Sequence, residues 1–167
     1  MTTPRLAAVL LGLSFLALGC SGDGGGGGGS DTQPRSANPA AVITEGTYVI
    51  TDADIHSDGC QLGYTASDFN GGTEFVTVAS GGLITIGSTD VTLANGVITG
   101  DDTPVNTSPI ANCTVDVTQS EEGTVPENDV MEVVQNTHAE NPVGDGCDDI
   151  PVSLPCDTAY FIKFTKQ

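Results

Sequence analysis

The chain has 167 residues, with 22 Asp and Glu against four Lys and Arg, a net charge of −18, no Trp and five cysteines. So few cations exclude nucleic acid as a partner, because gripping phosphates takes clustered Lys and Arg, and an anionic membrane face repels such a chain as well. The length suits one domain, and scarce aromatics leave little with which to build a stacking platform for sugars or bases.

In chain order, residues 6–20 come first as LAAVLLGLSFLALGC, an apolar run behind the single cation Arg5. Spanning a bilayer of ~30 Å permanently takes ~20 such residues, so the run reads as the helical core of an export signal. Its end, Gly19-Cys20, resembles the lipobox of bacterial lipoprotein precursors. That resemblance implies a diacylglycerol on the Cys20 thiol, cleavage just before it, and a membrane partner through the lipid. It also implies a mature chain of net charge −19, since Arg5 leaves with the signal and takes the total down from −18. Ser21 follows where some bacteria read Asp as an inner-membrane retention signal, which points to the outer membrane.

Residues 21–39, SGDGGGGGGSDTQPRSANP, pack little and order reluctantly, so a flexible tether with a reach of roughly 25 Å is expected. The expected organisation is therefore a signal peptide at 1–19, lipidated Cys20 plus tether at 20–39, and one all-β domain at 40–167.

From residue 40 the chain alternates short runs of Val, Ile, Thr, Tyr and Phe with Gly, Asn, Asp and Pro, the punctuation of strands. The first strand is expected over 41–55, with Tyr48, Ile50 and Asp52 on one side. A Cys-containing loop follows, then a hairpin of 74–79 with 83–87. Residues 91–94 and 97–99 flank Asn95-Gly96, the strongest short hairpin signal, because both residues tolerate the positive φ of a type I′ turn. Residues 100–112, with Pro104 and Pro109, read as a loop.

Cys113, Val115 and Val117 alternate with polar residues over a strand at 113–119, so one face is buried and the other wet. An acidic turn is expected at 120–128, a returning strand at 129–135, a polar loop at 136–149 and a last strand at 159–165. In that last strand Tyr160, Ile162 and Phe164 share a face. No window holds a helical period, and the β-branched content of MEVVQNTHAE favours strand.

Seven or eight antiparallel strands in sequential hairpins predict an all-β, up-and-down meander that closes into a small barrel or sandwich. The order of Gly46-Thr47-Tyr48, a Cys after the first strand, a ladder of hairpins and a Cys just before the last resembles the lipocalin-like barrels of small bacterial lipoproteins.

Five is an odd number: Cys20 belongs to the junction, and Cys60, Cys113, Cys147 and Cys156 can pair outside the cytosol. The favoured pairing joins Cys147 to Cys156 across a Pro-containing loop and Cys60 to Cys113. Cys60 with Cys156, linking the terminal strands, is the next choice. A zinc site with His56 and His138 fits no known ligand spacing.

Asp54, Asp58, Asp145 and Asp148 stand in loops faintly like calcium loops, without the acidic residue such a loop needs at its twelfth position. For catalysis, neither a nucleophile elbow nor a zinc-protease motif occurs. Asp52 and Glu132 are the conceivable carboxylate pair.

The function expected is a non-enzymatic binding or structural domain, lipid-anchored in the cell envelope, with no cofactor. It is expected to be monomeric and to meet a small apolar ligand or another envelope component. The rivals are a secreted carboxylate-dependent hydrolase and a calcium-dependent adhesion module. A binder of apolar ligands requires an enclosed apolar cavity, and an enzyme requires Asp, Glu or His converging in a concave pocket.

Overall fold

The computed structural model describes residues 32–100, 103–110, 112–149 and 153–167, so the expected export signal and Cys20 lie outside the described residues. The strands are β1 (Gly46–Asp58), β2 (Thr73–Val78), β3 (Leu83–Ile86), β4 (Thr89–Ala94), β5 (Val97–Thr99), β6 (Thr103–Ile110), β7 (Cys113–Glu127), β8 (Val130–Val143) and β9 (Cys156–Lys166). A one-turn helix α1 (Ala66–Phe69) follows β1, and a 3-10 turn (Asp145–Asp149) precedes β9.

Neighbours in the sheet run β5-β4-β3-β2-β1-β9-β8-β7-β6, and β5 also pairs with β7. That additional pairing closes a ring of eight antiparallel strands and settles the choice between barrel and sandwich. β6 stands outside the ring and continues the line of β5 along the same edge of β7, from Val97↔Thr124 on to Ile110↔Cys113. The lipocalin-like layout fits this barrel, since consecutive strands pair and the first pairs with the last.

An eight-stranded barrel is just wide enough for side chains to fill. Tyr48, Val76, Ile84, Ile98, Val125 and Met131 are completely enclosed, and Tyr160, Ile162 and Phe164 join them on the face expected from their alternation. Each such side chain contributes roughly 1.5–3 kcal/mol on leaving water. One end of the barrel is closed by the loop carrying α1, which brings Phe69 to 5.2 Å from the Tyr160 ring and Tyr64 to 5.7 Å from Phe69. At the other end, the Tyr48 hydroxyl lies 2.8 Å from Asp129 Oδ1, and the same carboxylate oxygen accepts the Thr44 amide at 2.9 Å.

A second, smaller core lies where β6, β7 and β8 run past the barrel. Val115, Val117 and Ala139 pack there with the four described cysteines. The disulfides are Cys60–Cys156 and Cys113–Cys147. The favoured pairing of Cys147 with Cys156 and Cys60 with Cys113 is thereby corrected. Barrel closure is the reason: β1 and β9 run antiparallel with Asp58 opposite Thr158, so two residues further along the same register Cys60 meets Cys156. The β7–β8 ladder likewise sets Thr114 opposite Val143, which delivers Cys113 to the turn holding Cys147.

Four further expectations change. Residues 136–143, expected as part of a polar loop, continue β8 as far as Val143, because they pair with β7 and β9. Residues 103–110 are strand and not loop, because a strand on the outer edge of a sheet tolerates proline. The acidic stretch 120–127 continues β7, and the turn narrows to Asn128-Asp129, where Asp129 has φ 56°. The tether does not run to residue 39. Residues 32–38 lie as a strap on the outer wall, with Thr32 O 2.7 Å from His56 Nε2 and the Asn38 amide donating to Val125 O at 3.0 Å.

Candidate functional site

Besides the Asp129 cluster at the barrel end, three places among the described residues bring polar chemistry together. The first is internal. Glu121 and Gln135 point inward from β7 and β8, and Gln135 Nε2 donates to Glu121 Oε1 at 3.2 Å. Burial pushes the Glu121 carboxyl above its ordinary range, and the Gln135 hydrogen bond opposes that only in part. Beside them, a void lined by Ile86, Val91, Val133, Ile162 and Phe164 measures about 20 Å³. That volume holds one water and no apolar ligand.

The second place is a depression of about 540 Å³ on the outer wall of β1, β9, β8 and β7. Two register rows pave it. Ser57, Ala159, Asn136 and Ser120 form one, and Asp157, His138 and Thr118 form the other. These are the outward positions of strands whose inward positions fill the cores, so alternation alone makes the row polar. His138 Nδ1 lies 2.7 Å from Asp157 Oδ1, while its Nε2 faces Glu140 Oε2 at 3.8 Å.

The hydrogen bond to Asp157 raises the imidazole above its ordinary range, and the Glu140 charge adds to this. A base that activates a hydroxyl needs one ring nitrogen turned to that hydroxyl. Here both nitrogens face carboxylates, an arrangement that holds imidazolium. The outward alternation of His138 and Glu140 in THAE carried a signal for this cluster. Asp157, beside Cys156, carried none.

The third place is the strap. Arg35 donates from its amide to Glu132 Oε2 at 2.7 Å, from Nε to Glu132 Oε1 at 2.6 Å and from Nη2 to Glu127 Oε1 at 2.9 Å. Its carbonyl accepts from Thr124 Oγ1 at 2.7 Å. Between this anchor on β8 and the His56 anchor on β1 lies the outward Phe161 of β9. Phe161 is only 2% exposed and stacks on the His56 ring at 6.2 Å.

The carboxylates considered as a catalytic pair are not together. Thr51 is an extra residue in the β1–β9 register, and this bulge turns Asp52 outward opposite Lys163. Glu132 lies across Lys163 on β8, two strand spacings or about 10 Å from Asp52, and is occupied by Arg35. The calcium candidates are scattered as well. Both Asp58 oxygens accept loop amides, from Leu62 at 2.7 Å and Gly63 at 3.0 Å, and Asp54 Oδ1 accepts the Ile55 amide. Asp145 and Asp148 lie in the 3-10 turn. Among the described residues no three His, Cys, Asp or Glu converge to hold a metal.

Fold and site together define the class: a closed, disulfide-stapled, eight-stranded antiparallel barrel with a packed apolar core and a polar depression on the outer wall of β1, β9, β8 and β7. Comparison of the chain with family models, curated proteins and solved structures finds no match.

Proposed function

We propose that this chain is a lipid-anchored cell-envelope protein whose barrel is a non-enzymatic binding or structural domain, held at the outer membrane by a diacylglyceryl group on Cys20. The observation that carries the non-enzymatic part is the wall's His138, whose two ring nitrogens face Asp157 and Glu140 in place of a nucleophile. The void of about 20 Å³ described in the barrel is too small for an apolar ligand and favours binding on the outer wall. Two disulfides within one small domain accord with export to an oxidising compartment.

The sequence at residues 6–20 supplies the anchoring part, and it is tested in cells. Labelled fatty acid should enter the protein, the label should vanish in Cys20→Ser, and globomycin should block maturation. Unlabelled protein with a normally processed N-terminus would refute the anchor. A carboxylate-dependent hydrolase is the second reading, on the strength of Asp157 beside His138 in the depression. It requires an ester- or glycoside-cleaving activity that Asp157→Asn abolishes.

A further inference from the structure

Glu132 occupies an unusual place for a carboxylate. It points outward from the wall of a barrel, where such groups are ordinarily wet, yet its side chain is only 4% exposed. Burial of this kind is tolerated when the charge is paired and hydrogen-bonded. Lys163 Nζ, 3.9 Å from Oε1, is a distant partner.

Arg35 does far more than neutralise the charge. Each oxygen of Glu132 takes a different part of that residue, main-chain N–H on one and guanidinium on the other, while Thr124 takes the carbonyl and Glu127 the far end of the guanidinium. A surface ion pair needs only the guanidinium. Contacts to N–H, C=O and side chain of a single residue are how a wall reads an arginine within an extended peptide.

The geometry points to an arginine-reading site on the outer wall of β7 and β8, filled in cis by the strap and open to an arginine-bearing extended segment of a basic partner protein when the strap lifts. Charge favours such a partner over another copy of this chain. Net charge is −18, and the chain holds only two arginines, Arg5 in the export signal and Arg35 itself. Two copies therefore repel, whereas a basic segment is attracted to the Glu127 and Glu132 side of the wall. The strap, joined to β1 through residues 39–45, competes as a tethered ligand at an effective concentration on the order of millimolar. Arg35→Ala should therefore uncover the site. None of this depends on acylation of Cys20.

The test uses the full chain carrying Arg35→Ala and two synthetic heptapeptides, TQPRSAN and TQPASAN, titrated calorimetrically at low salt. The arginine peptide should bind this variant at least tenfold more tightly than it binds the unaltered chain, and at least tenfold more tightly than the alanine peptide does. Adding Glu132→Gln should remove the preference. If Arg35→Ala does not fold, amide exchange on the unaltered chain takes its place. Millimolar TQPRSAN should accelerate exchange at Arg35 and Asn38 at least tenfold, and TQPASAN should not. A folded Arg35→Ala variant that binds neither peptide, or both alike, overturns the site, as does unchanged exchange. A heterodimer on mixing Arg35→Ala with Glu132→Ala would make a second copy the arginine donor and overturn the assignment to a different partner.

Discussion

Removing the disulfides one at a time separates their contributions by loop size. Cys60–Cys156 closes a loop with a sequence separation of 96, and Cys113–Cys147 one of 34. Restricting the unfolded chain in proportion to the logarithm of loop length gives about 4.7 kcal/mol for the first and about 3.8 kcal/mol for the second. Both cysteine pairs lie in the small core with Val115, Val117 and Ala139, so paired Cys→Ala changes avoid leaving buried hydroxyls. Urea unfolding monitored by circular dichroism should show a lower midpoint for both double variants, with Cys60→Ala/Cys156→Ala the less stable by about 1 kcal/mol. The β1–β9 ladder holds the same ends together without the bridge, so this variant should remain folded in water. A larger loss on removing the 34-residue bridge, or peptide maps showing Cys60 joined to Cys113, would refute the reasoning.

Three other outcomes follow from individual side chains. Glu121→Gln should stabilise the domain by about 1 kcal/mol at pH 8. Burial raises the folded-state Glu121 carboxyl, so its favourable protonated form is fully present below the unfolded pKa and lost as pH rises through the folded one; an unchanged gain at pH 4 would contradict this. His138 should titrate above the ordinary ~6.5 by NMR and fall back in Asp157→Asn. Its contribution to stability is present below the ordinary value and lost as pH rises through the raised one, so an identical midpoint in Asp157→Asn would remove the assigned cause. Gly96→Ala should lower Tm by several degrees, by about 1–3 kcal/mol. Gly96 has φ +76°, and a Cβ there would come within 2.6 Å of Asn38 O in the strap.

Local chemistry made some elements legible in the sequence. Asn95-Gly96 forms its turn with φ 53° and 76°, and period-two runs placed Val115, Val117, Tyr160, Ile162 and Phe164 correctly because a half-buried strand enforces that period. What failed depends on partners distant in sequence. Pro104 and Pro109 read as a loop because the edge position that tolerates them exists only once β7 is in place. Asp52 read as inward because a bulge is set by the partner strand β9.

The disulfide pairing follows from ring closure, which brings residue 58 beside residue 158; pairing by loop proximity along the chain missed it. The depression holding His138 needs four strands side by side before it exists. The strap was hidden most completely. A Gly- and Ser-rich composition signals freedom, and the contact that removes it joins Arg35 to Glu132 across 97 positions.

Limited trypsin digestion tests most directly whether the strap belongs to the folded unit and holds Arg35 on the wall. Four trypsin sites exist, Arg5, Arg35, Lys163 and Lys166, and of these only Arg35 lies between Cys20 and the barrel. In the native protein the Arg35–Ser36 bond should resist cleavage. Glu132→Gln should speed its cutting about tenfold or more, since a hydrogen bond to a charged group is worth about 1.5–3 kcal/mol and cleavage follows the population of the open strap. Rapid cutting after Arg35 in the unaltered native chain, at the rate of an unstructured peptide, would contradict the account.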